Sequence, residues 1–189
     1  MEKRELVIVD GVRTPMAEFN GGFAEVSALE LGAHAARALF ERTGVAPAAV
    51  DHVIVGNVLQ TSTDAIYGAR HVGLRAGVPE EVAALTVNRL CGSGIQAILS
   101  GAQMLLLGEA SCCLVGGTEN MSQAPHAIYG ARRGLRLGQG KLEDSLMASL
   151  FDSWCGLYMA QTSNRLAHEY GLTREEQDAF ALRSQQRAA

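Results

Sequence analysis

Short apolar runs alternate with segments of helical periodicity over the first part of the chain. The runs predict strands at 6–9, 52–55, 83–87 and 111–115. The periodic segments predict helices near 27–43, near 65–76 and after residue 91. Because strands that are apolar on both faces alternate with helices, the pattern predicts an α/β fold in which helices cover both faces of a parallel-type sheet.

The alternation stops after residue 118, where a glycine-rich loop with basic residues extends to about residue 157. Two helices are predicted beyond it, near 158–170 and 174–189, and Thr173 with Glu176 predicts a capping box for the second. We therefore divide the chain into residues 1–118 and 119–189. The last helix has no glycine, asparagine or proline stop signal, so we expect a chain cut from a longer protein.

Composition narrows the class of protein. The 189 residues are 48% hydrophobic and 19% charged, which is ordinary for a soluble globular protein. The net charge of −4 and the scattered basic residues argue against nucleic acid as a partner. We identify no apolar run of the roughly 18 residues that span a membrane, and no signal peptide. The four cysteines show no disulfide or zinc spacing, so we expect a cytoplasmic protein.

Cys91 stands where the strand at 83–87 turns into a helix of small and apolar residues. A thiol in the first turn of a buried helix faces unpaired backbone N–H groups and the positive end of the helix dipole, and both favour the thiolate. Glycines at 92, 94 and 101 weaken this helix, a cost usually tolerated where something approaches the backbone closely. Taken by itself, the spacing leaves two interpretations open, a nucleophile or a small buried hydrophobe.

The sequence Asn-Arg-Leu-Cys-Gly-Ser-Gly at 88–94 resembles the nucleophile motif of the thiolases, the acyl-CoA C-acyltransferases. Further thiolase-like motifs follow in family order, at 13–15, 56–60, 69–77, 116–122 and 174–178. The resemblance extends from about residue 5 to the end of the chain. The stretches 62–67, 142–146 and 184–187 particularly resemble the 3-ketoacyl-CoA thiolases of fatty-acid oxidation.

This resemblance implies a thiolase-like α/β fold: the first half-domain, with a mixed sheet and helices on both faces, and the beginning of an inserted loop domain. It implies that Cys91 takes the acyl group of an acyl-CoA as a thioester and passes it to CoA or to the carbanion of acetyl-CoA. CoA thioesters would be substrates, with no metal and no prosthetic group. The whole protein would be a homodimer or homotetramer.

The family's catalytic histidine and second cysteine belong to motifs of the second half, and no histidine of this chain has the Gly-His-Pro context. We therefore expect the chain alone to be inactive and poorly soluble. Two alternatives to a thiolase stay open: a non-catalytic thiolase-like binding or assembly module, and a ketosynthase-like condensing enzyme.

The resemblance also places three residues of the second part of the chain, Leu150, Tyr158 and Met159, where thiolases line the CoA and acyl channel. Tyr158 stands where several short-chain biosynthetic members have histidine, which leaves the acyl length open. Plain packing at a helix start is the alternative for all three residues.

Overall fold

The computed structural model describes residues 5–189 and forms two compact units that divide after Pro125. The predicted boundary after residue 118 stays a prediction. In the first unit the helices and strands are α1 (Ala28–Thr43), β1 (His52–Gly56), α2 (Gly68–Arg75), β2 (Ala83–Val87), α3 (Ser93–Leu107) and β3 (Cys113–Gly117). Short 3-10 helices cover Pro47–Ala49, Ala65–Tyr67 and Met121–Gln123.

The three strands form one parallel sheet in the order β2-β1-β3. β1 is central and buried, and its alternate side chains contact helices on opposite sides. A Cβ at Gly73 of α2 would lie 3.0 Å from Val53 Cγ2, whereas a Cβ at Gly101 of α3 would lie 3.8 Å from Ile54 Cδ1. The prediction of an α/β fold with helices on both faces of the sheet is therefore confirmed.

The first helix shows how local sequence signals define an element. Ser27 Oγ accepts a hydrogen bond from the Glu30 backbone N–H, and the Glu30 carboxylate accepts one from the Ser27 N–H. This reciprocal pair satisfies two donors that a helix start leaves free. The helix ends at Gly44, whose φ of 70° suits glycine. Its apolar face, including Leu29, Ala36 and Phe40, lies in the core.

The predicted strand at 6–9 is not a strand. Residues 5–10 form no ladder with any described strand, and Val7 and Ile8 are 71% and 80% exposed. A cleft of about 730 Å³ is lined by this segment and by the residues that lead into and form β3. The segment lines this cleft together with β3 but forms no strand ladder with it, so the apolar pattern alone does not make it a strand.

Two other strand predictions need correction. β2 was predicted to be buried, but it is an edge strand and Leu85 is 45% exposed. β3 begins at Cys113, two residues later than predicted, because the Asp51 carboxylate accepts hydrogen bonds from the N–H groups of Ser111 and Cys112. A side chain thus takes the place of a strand partner at these two positions.

The third helix buries its small residues rather than its large apolar ones. Its apolar residues Ile95 and Leu99 are 64% and 48% exposed, whereas Ser93, Ala97 and Gly101 are buried against the sheet. Among the described residues, Leu90–Leu107 is by length and composition apolar enough to cross a membrane, so the expectation that no run reaches this length is wrong. A helix that packs one face on a sheet can have the same length and apolar composition, so these two properties do not by themselves indicate a membrane span.

The second unit, His126–Ala189, consists of short elements followed by two helices. Its strands pair as two antiparallel hairpins, β4 with β5 and β6 with β7. The elements are β4 (His126–Ile128), β5 (Leu142–Asp144), α4 (Ser145–Ser149), β6 (Phe151–Asp152), β7 (Leu157–Tyr158), α5 (Met159–Glu169) and α6 (Arg174–Ala188). The predicted capping box of Thr173 and Glu176 is present at the start of α6.

Candidate active site

Cys91 lies in the turn between β2 and α3, at the carboxyl end of the parallel strands. α3 begins at Ser93 with Gly92 as its N-cap, so the cysteine lies just before the helix rather than in its first turn as predicted. The thiol is free and exposed. The interpretation of Cys91 as a buried hydrophobe is therefore wrong, since nothing in the described part of the chain covers it.

Several of the backbone N–H groups beside the cysteine are already used. Gly92 N–H donates to the Arg89 carbonyl at 3.0 Å, and Ser93 N–H donates to the Leu90 carbonyl at 2.9 Å. These bonds close a tight turn before the helix. The helix dipole still directs its positive end toward this turn, which favours negative charge there.

Leu90, which precedes the nucleophile, has a φ of 48°. A left-handed conformation costs a residue with a Cβ roughly 1 kcal/mol or more, and neighbouring side chains hold it here. Leu90 N–H donates to Asn88 Oδ1 at 2.9 Å, and the Leu90 carbonyl accepts from Ser93 Oγ at 2.6 Å. Ser93 Oγ also accepts from the Arg89 N–H at 2.8 Å. Two short polar side chains thus define the backbone on both sides of Cys91.

Glycines in the strands allow the start of α3 to approach the sheet closely. A Cβ at Gly56, the last residue of β1, would lie 2.6 Å from the carbonyl carbon of Ser93. A Cβ at Gly117, the last residue of β3, would lie 3.4 Å from Gly94 Cα. The backbone of the helix start therefore packs directly on the backbone of two strands. Of the three glycines singled out in the sequence, Gly101 has a close neighbour, since a Cβ there would lie 2.7 Å from Val115 Cγ1, whereas a Cβ at Gly94 would meet nothing within 4 Å.

The remaining thiols lie in different environments. Cys112 packs against the buried core, and the Cys113 sulfur faces the Gly101 carbonyl at 3.9 Å on the other side of the sheet. Burial raises the pKa of both the Cys112 and the Cys113 thiol, and Asp51 adds to this effect. Cys155 is exposed in the turn between β6 and β7. Of the four thiols, only Cys91 lies beside a helix start.

The three residues predicted to line a CoA and acyl channel lie together in the second unit. Tyr158 in β7 is followed by Met159, whose N–H donates to the Leu150 carbonyl at 3.0 Å. The ring of Tyr158 contacts that of Phe151, with centroids 5.0 Å apart. The three side chains are 39% to 42% exposed, so the alternative of plain packing accounts for only part of their surface. Their role in binding stays a prediction.

Sequence reasoning missed the polar residues that shape the turn. Asn88 and Ser93 were recognised only as members of the 88–94 motif, without a structural role. Glu119 was not considered as part of this site. A usable signal was present for Ser93, because a serine at a helix start commonly bonds to nearby backbone. No comparable signal marks Leu90, since leucine rarely adopts a positive φ.

A parallel α/β sheet that presents an exposed cysteine before a closely packed helix defines a domain built to carry a cysteine nucleophile. The family model for the thiolase N-terminal domain matches residues 6–189. The chain therefore belongs to the thiolase family, as the resemblance implied.

Individual relatives agree with this assignment. The chain is 50% identical to human mitochondrial 3-ketoacyl-CoA thiolase over 185 residues, 97% of this chain and 47% of that protein. It is 46% identical to acetyl-CoA acetyltransferase of Pseudomonas aeruginosa, over 98% of this chain and 47% of that one. The crystal structure of the human enzyme in complex with CoA matches with a TM-score of 0.92, over 95% of this chain and 46% of that chain. The chain thus spans about half the length of these relatives.

Proposed function

We propose that the protein transfers acyl groups between CoA thioesters through a thioester on Cys91. One observation carries the proposal: in a chain of the thiolase family, the cysteine of the Asn-Arg-Leu-Cys-Gly-Ser-Gly sequence is exposed beside a helix start on a turn of defined geometry. The names of the relatives, thiolase and acetyl-CoA acetyltransferase, favour this chemistry over a ketosynthase or a non-catalytic module.

In the degradative direction, the Cys91 thiolate attacks the 3-keto carbon of a 3-ketoacyl-CoA. The bond between carbons 2 and 3 breaks, and its electron pair leaves as the enolate of acetyl-CoA, which takes up a proton. The shortened acyl group stays on the sulfur as a thioester until a CoA thiolate attacks it and releases Cys91. The condensing direction is the reverse of these steps. No net oxidation or reduction occurs in either direction.

Several features of the turn suit this role. A thiolate is both a good nucleophile and a good leaving group, so the acyl-enzyme forms and breaks down readily. The rigid turn holds the sulfur in a constant position, and orientation of the attacking atom is a large part of enzymatic rate enhancement. Backbone N–H groups near a helix start are also suitable donors to the oxyanion of a tetrahedral intermediate.

We further propose that acyl-CoA and CoA are the small-molecule partners, and that Leu150, Tyr158 and Met159 contact them. We propose that the reaction uses no metal and no prosthetic group. We also propose that the protein is a homo-oligomer in a reducing cytoplasm. Exposed Leu85 on the unpaired edge of β2 supports self-association. The free cysteines support a reducing compartment. Light scattering on the purified protein tests the oligomer, since a monomer at micromolar concentration contradicts it.

The proposed chemistry is tested by detecting an acetyl group on the protein itself, which does not require turnover. The purified protein is mixed with acetyl-CoA and its mass is measured, followed by peptide mapping. We expect one acetyl group on Cys91 of the wild type and of the control Cys155→Ser, and none on Cys91→Ser, because a serine hydroxyl is far harder to ionise than a thiol. An equal adduct on Cys91→Ser places the nucleophile elsewhere and refutes the proposal.

A further inference from the structure

Glu119, two residues beyond β3, is a half-buried carboxylate that the proposed chemistry does not use. Among the described residues it forms no salt bridge with a Lys, Arg or His side chain. Its partners are all N–H donors of the turn that follows β1. Val58 N–H donates to Oε2 at 2.9 Å, Leu59 N–H donates to Oε1 at 3.2 Å, and Asn57 Nδ2 donates to Oε1 at 3.1 Å.

The donors to this carboxylate explain why a glutamate suits the position. Burial raises the pKa of Glu119, while the hydrogen bonds from Val58, Leu59 and Asn57 act in the opposite direction. A glutamine there would direct its NH₂ group toward N–H donors and leave at least one of them without an acceptor. The turn therefore requires an acceptor with two oxygens.

The same turn is joined to the loop that carries the nucleophile. Asn57 N–H donates to the Val87 carbonyl at the end of β2, at 3.1 Å. Asn88 Nδ2 donates to the Val58 carbonyl at 3.4 Å. The other atom of the Asn88 amide, Oδ1, accepts from the Leu90 N–H. A continuous series of hydrogen bonds thus runs from Glu119 through the turn at 57–59 and Asn88 to the residue before Cys91.

We propose that Glu119 is a positioning residue for Cys91, which acts by holding the turn at 57–59 and, through Asn88, the left-handed backbone of Leu90. The inference rests on the proposed function of Cys91. Three strand ends, those of β3, β1 and β2, take part in this network. In this arrangement a carboxylate that is hydrogen-bonded to Asn57, Val58 and Leu59, and not to Cys91, determines where the sulfur points.

Amide hydrogen exchange in the purified protein tests the physical link, with Glu119→Gln compared against Glu109→Gln, an exposed control at the end of α3. We expect faster exchange at one or both of Val58 and Leu59, because glutamine offers one acceptor oxygen where glutamate offers two. We also expect exchange at Leu90, which Glu119 does not touch, to rise roughly fivefold or more, the factor that one hydrogen bond of ordinary net strength provides. Unchanged exchange at Leu90 overturns the inference.

Asn88→Ala tests the order of the links. Since Asn88 lies between the turn and Leu90, this variant should speed exchange at Leu90 while Val58 and Leu59 stay protected by Glu119. Adding Glu119→Gln to Asn88→Ala should then have little further effect on Leu90. Full additivity at Leu90 means that the two residues act independently, and it overturns the proposed series.

A comparison of two reactions at Cys91 separates positioning from loss of fold. Acylation by acetyl-CoA demands a defined angle of attack, whereas alkylation by iodoacetamide demands mainly an accessible thiolate. Glu119→Gln should slow acylation by about tenfold or more, and alkylation by less than about twofold. Global unfolding would instead expose Cys112 and Cys113 to alkylation. If Glu119→Gln is acylated at the wild-type rate, the inference fails and the proposed function stands; if the wild type is not acylated, the proposed function fails, and the positioning role of Glu119 with it.

Discussion

Gly56→Ala tests the backbone contact between β1 and α3, on which the position of Cys91 depends. The new methyl carbon would lie 2.6 Å from the Ser93 carbonyl carbon and 2.7 Å from its oxygen. These are backbone atoms, which cannot rotate away as the end of a side chain does. Ordinary contact between carbon atoms begins near about 3.5 Å, so the helix start would move by about 0.9 Å.

The magnitude follows from two contributions. Inserting a methyl group into a closely packed site costs about 1–3 kcal/mol. Movement of Ser93 also strains its hydrogen bonds to Arg89 and Leu90, and each such bond contributes about 1 kcal/mol. We therefore expect a loss of roughly 2–4 kcal/mol, which at about 2–4 °C per kcal/mol for a chain of this size lowers Tm by roughly 4–16 °C.

The assay is thermal unfolding of Gly56→Ala beside Gly116→Ala. Gly116 lies in the neighbouring strand β3, but a Cβ there would meet nothing within 4 Å, so the control makes the same chemical change without the clash. We expect the control to unfold within about 2 °C of the wild type, as substitutions away from packed contacts do. If Gly56→Ala is as stable as Gly116→Ala, the helix start does not pack on β1 as described and the reasoning is refuted.

Three further predictions concern reactivity, capping and pH. Iodoacetamide at neutral pH should label Cys91 ahead of the other three thiols, as seen by peptide mapping; faster labelling of another thiol contradicts the role of the helix start. Ser27→Ala should destabilise the protein by about 1 kcal/mol in urea unfolding, whereas a loss near zero would mean that the capping box with Glu30 contributes nothing. The Ser62 hydroxyl, with further help from nearby residues, lowers the pKa of Asp64, so its stabilisation is present above the ordinary aspartate pKa and is lost as pH falls through the lowered value. Asp64→Asn should therefore lower Tm at pH 7 and have progressively less effect toward pH 2, and a constant difference across that range would contradict the linkage.

The fold was predictable where local signals are sufficient. The helix predicted near 27–43 is present as α1, and the capping box predicted for Thr173 and Glu176 is present at the start of α6. The segment at 6–9 shows the limit of such signals: its apolar residues satisfy a strand pattern, but pairing depends on neighbours far along the chain. For α3 the periodicity predicted the helix but not its buried residues Ser93, Ala97 and Gly101, because small residues count little in hydrophobic periodicity.

The candidate site was predictable at one residue, Cys91, and not in the network around it. The motif points to Cys91 as the proposed nucleophile because the residues of the turn are consecutive in sequence. The link from Glu119 to the turn at 57–59 joins residues that are about sixty positions apart, and no local pattern indicates such a pair. Likewise, the left-handed Leu90 follows from tertiary hydrogen bonds rather than from its own preference.

The geometry of the turn that carries Cys91 is consistent with the proposed role of this cysteine. A cysteine kept for packing is commonly buried, and Cys112 and Cys113 are partly so. Within the described residues Cys91 is exposed, and it follows a residue in a strained conformation. Buried polar groups and a backbone contact made possible by Gly56 maintain that turn. An exposed thiol on a strained turn that the surrounding structure maintains is the arrangement that the proposed thioester chemistry of Cys91 would need.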